Sequence, residues 1–232
     1  MSDRLKRFLP LLFFVTTLAY ILGGVVQNQT LQLITKPFLI PLLMCWVALG
    51  ANASRNRSII LVALFFSFAG DVFLLFEYKN PWLFIPGLVC FLLTHILYIA
   101  YFLSIPGNKK SLLKIAPYLG LLAGAYGVAL VYILFPTLGN LKVPVLIYAI
   151  VIMSMLLASI HVYYRVSQGA ATLFVAGAAF FVLSDSLLAV NKFYNPIAFP
   201  FLIILTYCIA QYLIVAGFLK HANRNGDLRK VD

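Results

Sequence analysis

The sequence predicts an all-α membrane protein, built as a bundle of eight transmembrane helices. Of its 232 residues, 63% are hydrophobic and only 10% are charged, and the apolar residues form eight stretches long enough to span a bilayer. A soluble domain of this length could not bury so much apolar surface. We therefore treat residues 1–232 as a single polytopic membrane domain.

The predicted spans each contain roughly 20 mostly apolar residues, and short connections between them hold the turn and charged residues. The first span follows a basic start without a clear cleavage site, so we expect it to be retained as a helix. The second has the least certain ends, because Lys36-Pro37 stands at its start. The eight windows are 8–26, 36–51, 58–76, 82–104, 113–135, 142–164, 169–189 and 199–219.

Lysine and arginine residues are unevenly distributed between the two sides that eight spans define. Thirteen lie in the two tails and in the loops after the second, fourth and sixth spans. The other side has four, which end helices there: Lys36, Lys79, Lys142 and Lys192. Because cytoplasmic segments carry the excess of positive residues, we expect both termini in the cytoplasm.

Two stretches of the chain resemble each other. "GDVFLLFEYKNPWLFIP" (70–86) and "SDSLLAVNKFYNPIAFP" (184–200) share a small residue before aspartate, then a lysine, Asn-Pro, Phe and Pro. The helices that follow also align, "HILYIAYFL" (95–103) with "QYLIVAGFL" (211–219). Four spans separate the copies, so we expect two parallel four-helix repeats, 1–110 and 111–232, about an axis along the membrane normal.

Asp71 and Asp185 are the two acidic residues within the predicted spans. An ionised aspartate in hydrocarbon costs about 2.5–3.5 kcal/mol, and each follows a small residue, Gly70 or Ser184, that permits close helix approach. Each is expected about one turn or slightly more from the non-cytoplasmic end of its helix. We therefore predict a shared polar site on that side, where two facing carboxyls would hold one proton between them. The alternative is a hydrogen bond that only assembles the bundle.

Polar residues on other helices are candidates to line this site. His95 and Tyr98 are three residues apart and share a helix face, and Tyr207 and Gln211 share one in the second copy. For His95 the alternative is a structural hydrogen bond. Lys36, in "TKP", is the candidate to meet a lipid phosphate, and the alternative for it is an interfacial anchor.

Other chemistries find little support in the sequence. HxxxH, HExxH and clustered Cys/His patterns are all missing, so we expect no metal site, and neither GxSxG nor a nucleotide-binding fingerprint is present. We expect no cofactor and no nucleic-acid partner, because membrane orientation accounts for the net charge of +11. Three cysteines lie singly in apolar runs, and we expect free thiols: Cys45, Cys90 and Cys208.

Several stretches resemble the YhhN family of integral membrane proteins, whose animal members are lysoplasmalogenases. The resemblance implies hydrolysis of the vinyl-ether bond of a lysophospholipid of the lysoplasmalogen type, releasing a fatty aldehyde and a glycerophospho-base. It also implies that Asp71 and Asp185 are catalytic. The similar stretches are "TKP" (35–37), "SFAGDVFLL" (67–75), "THILYIAYF" (94–102), "FVLSDSLLAVNKF" (181–193) and "YCIAQYLIVAGF" (207–218).

The implied reaction suits two carboxyl groups. Protonation of the carbon–carbon double bond produces an oxocarbenium-like cation, water adds, and the hemiacetal collapses. One aspartate would donate the proton and the other would act as the carboxylate, with His95 and Tyr98 orienting them; which aspartate has which role stays open. The lipid tail would lie between helices while the phosphate meets Lys36.

Two other functions fit the same residues. A proton- or cation-coupled transporter would rock its repeat halves and bind protons or cations at the aspartates. Asn-Pro after both aspartate helices suits mobile helix ends and favours a transporter. Against a transporter, neither aspartate span is broken by glycine or proline. A structural membrane protein whose acids pair across helices is the third alternative. The sequence predicts no oligomeric state.

Overall fold

The computed structural model describes residues 2–107 and 111–228. Within these ranges the fold is all-helical, without a β-strand, and eight helices are long and apolar enough to cross a membrane. The predicted class and number of spans are confirmed. The helices are α1 (Ser2–Val25), α2 (Gln29–Gly50), α3 (Arg55–Leu75), α4 (Phe84–Leu103), the short α5 (Leu112–Ile115), α6 (Tyr118–Leu134), α7 (Lys142–His161), α8 (Gln168–Phe193) and α9 (Phe201–Leu228).

Among the helix starts, that of α2 differs most from the sequence prediction. The helix begins at Gln29, seven residues before the predicted start, because the Asn28 side chain accepts a hydrogen bond from the backbone N–H of Leu31 (3.0 Å). Pro37 and Pro41 lie inside α2 without ending it, since membrane helices tolerate proline.

The fifth predicted span, 113–135, is interrupted near its start. The short α5 ends at Ile115 and α6 begins at Tyr118, with Pro117 between them. Proline lacks the backbone N–H that would continue the helix.

Four of the thirteen lysine and arginine residues on the predicted cytoplasmic side lie outside the described residues: Lys109, Lys110, Arg229 and Lys230.

The chain divides into two compact units, and the first comprises residues 1–101 and 219–232. In it, α1 packs on α2 and α2 on α3. Helices α3 and α4 approach closely, because a Cβ on Gly70 would stand 2.8 Å from the ring of Phe91. The Thr94 hydroxyl also donates to the carbonyl of Ala63 (3.1 Å). These contacts fix how α4 lies beside the part of α3 that carries Asp71.

The second unit comprises residues 102–218, with α6 packed on α7 and α7 on α8. Leu134, Leu138 and Val145 form a buried cluster where α6 leads into α7, and the end of α8 packs against it through Ala189, Val190 and Phe193. Helix α8 ends at Phe193, four residues beyond the predicted end. Val190 and Phe193, which lie in this added turn, pack against the cluster.

Much of the apolar surface faces outward, as expected in a bilayer. Leu121 and Val128 on α6 are 75% and 71% exposed. Aromatic side chains are prominent where spans meet connections, and Trp82 and Tyr132 are 82% and 81% exposed. Aromatic residues at such positions are typical of a membrane–water interface.

Candidate functional site: two carboxyl groups in membrane helices

Asp71 lies near the end of α3 in the first unit, four residues before Leu75, and is 3% exposed. Its Oδ1 atom is 3.8 Å from the Nζ atom of Lys36, which is also buried. Burial of an isolated charge is costly, and a paired opposite charge reduces that cost. The ion pair therefore explains how an otherwise apolar helix carries this aspartate.

The sequence analysis placed Lys36 at the start of its helix, but in the structure Lys36 lies inside the helix. Because α2 begins at Gln29, Lys36 is the eighth residue of the helix. Its ammonium group is also 5.9 Å from the ring centroid of Tyr20 on α1. Three helices thus meet around one ammonium group. The sequence analysis missed Tyr20 and this pairing, and the Asn28 cap was the signal that could have located Lys36 inside α2. Its contact with a lipid phosphate stays a prediction.

His95 and Tyr98 lie on α4, in the first unit. Both side chains are completely buried, and their neighbour Thr94 makes the bond to Ala63 that joins α4 to α3. The spacing of three residues places them on the same side of the helix. The proposed role of this side in lining the carboxyl site stays a prediction.

Asp185 lies on α8 in the second unit, eight residues before the end of the helix at Phe193. This separation is roughly 12 Å along the axis, slightly more than two turns, so it is longer than the predicted distance of one turn or slightly more. The Tyr148 hydroxyl on α7 donates a hydrogen bond of 2.5 Å to Oδ2 of Asp185. Both side chains are half-buried.

The residues on either side of Asp185 bond to other helices. The Ser184 hydroxyl donates to the carbonyl of Ile203 on α9 (2.9 Å). Ser186 accepts a bond from the Tyr126 hydroxyl on α6 (2.8 Å) and donates to the carbonyl of Val182 (2.6 Å). Three consecutive residues of α8 therefore connect to α9, α7 and α6, and they fix the rotation of α8 about its axis. The sequence analysis missed both tyrosines, which lie in the runs "AYGV" and "IYAI" without any local motif.

Tyr207 and Gln211 lie one turn apart on α9, also in the second unit. The Tyr207 ring packs edge-on against Phe181, with the centroids 5.6 Å apart, and Phe181 lies one turn before Asp185. Gln211 is completely buried. The prediction that these residues share one pocket with His95, Tyr98 and both aspartates stays a prediction, because the residues belong to different compact units.

An apolar groove of about 870 Å³ lies on the second unit between α6 and α7. Lys142 stands near one end, where its Nζ atom is 4.6 Å from the ring centroid of Phe135. Gly124 leaves the groove open, since a Cβ there would meet nothing within 4 Å. The lining includes Gly124, Gly127, Val128, Phe135, Leu146, Ile150 and Met153.

Within the described ranges, no group of three or more His, Cys, Asp or Glu residues is placed to hold a metal ion. The polar groups at and next to Asp71 and Asp185 are carboxyl, ammonium, phenol and hydroxyl groups. In an apolar surrounding, such groups can bind or transfer protons and can stabilise charge.

The helices and the two carboxyl groups define a multi-pass integral membrane protein with polar sites inside its spans. The YhhN family model matches residues 31–218, and the chain belongs to this family. The chain is also similar to Lysoplasmalogenase TMEM86A of Homo sapiens, with 29% identity in an alignment of 216 positions that covers 87% of this chain and 85% of the human protein. No solved structure matches the chain.

Proposed function

We propose that this protein is a membrane hydrolase that cleaves the vinyl-ether bond of lysoplasmalogens to a fatty aldehyde and a glycerophospho-base. Membership of the YhhN family and similarity to a human lysoplasmalogenase support the proposal. The structural observation that carries it is a carboxyl group in each of two apolar helices, each held by a side chain of a neighbouring helix. We further propose that Asp71 and Asp185 are the catalytic residues.

The proposed reaction needs one proton donor and one carboxylate. A carboxylic acid protonates the vinyl carbon that is not bonded to oxygen, and the carbon beside oxygen becomes the centre of an oxocarbenium ion. Water adds to that carbon and returns a proton to the donor. The hemiacetal then loses its hydroxyl proton while the departing glycerol oxygen gains one. Overall, one water is consumed and the carboxyl groups regain their starting protonation.

The proposal assigns the substrate a tail-binding surface and a cation. The groove between α6 and α7 is lined mostly by apolar side chains, as an alkyl chain requires. Lys36 remains the proposed contact for the lipid phosphate. An ammonium group has three donors, so Lys36 can hold Asp71 and still offer a hydrogen bond to a phosphate oxygen. His95, Tyr98, Tyr207 and Gln211 remain proposed substrate-lining residues.

Purified protein incubated with lysoplasmenyl-ethanolamine tests the proposal through aldehyde release. Asp71→Asn and Asp185→Asn should each lower kcat by about 100-fold or more, since general acid–base groups contribute about 10²–10⁴-fold. Thr172→Val is the matched control, because this hydroxyl on α8 bonds only to the carbonyl of Gln168 one turn earlier among the contacts described. Size-exclusion profiles check that the variants remain folded.

Two outcomes would contradict this function. Wild-type protein that releases no aldehyde but moves a solute in proteoliposomes would be a transporter. Active Asp71→Asn or Asp185→Asn protein would exclude that aspartate from the reaction. We do not favour a transporter, because α3 and α8 run unbroken through Asp71 and Asp185, whereas transporter sites are typically formed by discontinuous helices.

A further inference from the structure

The two carboxyl groups have partners with different hydrogen-bonding chemistry. Asp71 faces the Lys36 ammonium at 3.8 Å, and Asp185 accepts a bond from the Tyr148 phenol. An ammonium carries a full positive charge and only donates hydrogen bonds, whereas a phenol is neutral and both donates and accepts. The two aspartates are therefore suited to different tasks.

A buried ammonium group stabilises the ionised form of a neighbouring carboxyl group. Protonation of Asp71 would leave Lys36 as an uncompensated charge in an apolar surrounding, which is costly. The pair thus holds Asp71 as a carboxylate. A group that gives up and regains a proton in every turnover needs a partner that tolerates both forms, and Lys36 does not provide that.

Tyr148 tolerates both forms of Asp185. Its hydroxyl donates to Oδ2, and Oδ2 accepts in the carboxylate and also as the carbonyl oxygen of an acid that carries its proton on Oδ1. Asp185 is also half-buried, whereas Asp71 is 3% exposed. The more accessible carboxyl group therefore has the partner compatible with proton transfer.

We propose that Asp185 is the proton donor of the vinyl-ether hydrolysis, that Tyr148 is its positioning residue, and that Asp71 remains a carboxylate neutralised by Lys36. This assignment rests on the proposed function. Oδ1 of Asp185 delivers its proton to the vinyl carbon while Tyr148 holds Oδ2. Water adds to the oxocarbenium ion, and Asp185 recovers a proton from that water.

Infrared difference spectroscopy of the purified protein tests the charge states without any substrate. The difference between spectra recorded before and after acidification shows the C=O stretching bands of the carboxyl groups that take up a proton. Asp185→Asn should lose a band from this difference, whereas Asp71→Asn should keep all of them because Lys36 holds Asp71 as a carboxylate. Lys36→Met should add a band, which Lys36→Met/Asp71→Asn should lack. Loss of a band in Asp71→Asn instead of Asp185→Asn would overturn the assignment.

The role of Tyr148 is tested against Tyr126, which bonds to the neighbouring Ser186. Tyr148→Phe should shift the acid band and lower kcat about tenfold with little change in KM, because it loses one hydrogen bond to an ionisable group. Tyr126→Phe should leave the band unchanged. Equal spectra and kinetics for the two variants would contradict a positioning role. A wild-type protein with the expected bands but no aldehyde release would refute the proposed function and leave the charge assignment intact.

Discussion

At the scale of single residues, each aspartate in an apolar helix contacts a polar side chain of a neighbouring helix. Asp71 has the ammonium of Lys36 and Asp185 has the phenol of Tyr148. A charged side chain within a bilayer costs free energy. The contacts with Lys36 and Tyr148 lower the cost of placing these aspartates in membrane helices. The aspartates were visible in the sequence, but neither partnership was.

Lys36→Met should destabilise the protein by up to about 3–5 kcal/mol, because Asp71 loses the ammonium group that offsets its charge and must take up a proton to stay buried. Lys36→Met/Asp71→Asn should recover much of this loss, since the double variant contains neither charge. Thermal unfolding in detergent measures both, and the coupling energy follows from the double-mutant cycle. Additive effects of the two substitutions would show that the pair contributes nothing to stability.

At the scale of helices, the partner of each carboxyl group lies on the second long helix of its compact unit, but at a different position. Lys36 is the eighth residue of α2, and Tyr148 is the seventh residue of α7. Asp185 is also four positions farther from its helix end than Asp71. The two units therefore differ in the position and in the chemistry of their polar sites.

Close helix approach sets a second constraint at this scale. Helices α8 and α9 meet at Gly177, where a Cβ would stand 3.0 Å from both the carbonyl oxygen of Ala210 and the backbone nitrogen of Ile214. Backbone atoms cannot move aside as a flexible side chain can. This contact lies on the same helix as Asp185, two turns earlier, and helps to position it.

Gly177→Ala should destabilise the protein by about 1–3 kcal/mol, because it forces α8 and α9 apart. Gly124→Ala is the matched control on α6, where a Cβ would meet nothing within 4 Å. Alanine favours a helix over glycine by up to about 1 kcal/mol, so this control should be neutral or stabilising. Melting temperatures in detergent compare the two. Equal stability of both variants would contradict the close approach of α8 and α9.

At the scale of the whole molecule, the number of spans and the positive residues together predict orientation. Eight helices in the described part of the chain are suited to crossing a membrane, and an even number of spans would place both termini on one side. The sequence places 13 positive residues on that side and four on the other, which predicts cytoplasmic termini.

A fusion experiment measures this orientation. A fluorescent protein that folds only in the cytoplasm should be bright after residue 232, and alkaline phosphatase should be inactive there. The matched control is a fusion after Asn195, which follows seven spans and should show the opposite pattern. Active phosphatase at the C-terminus would mean that the orientation is reversed or that the number of spans is odd.

The sequence by itself determined the class, the number of spans and the two carboxyl groups, because apolar length and isolated charges are local properties of the chain. The sequence prediction was wrong about the start of α2 and hence about the position of Lys36. The helix also includes the seven residues 29–35, because Asn28 caps it before the apolar run begins. Only the tertiary structure decided the partners. Lys36 and Tyr148 reach Asp71 and Asp185 from other helices, and such contacts depend on how helices rotate and pack rather than on spacing within any one of them.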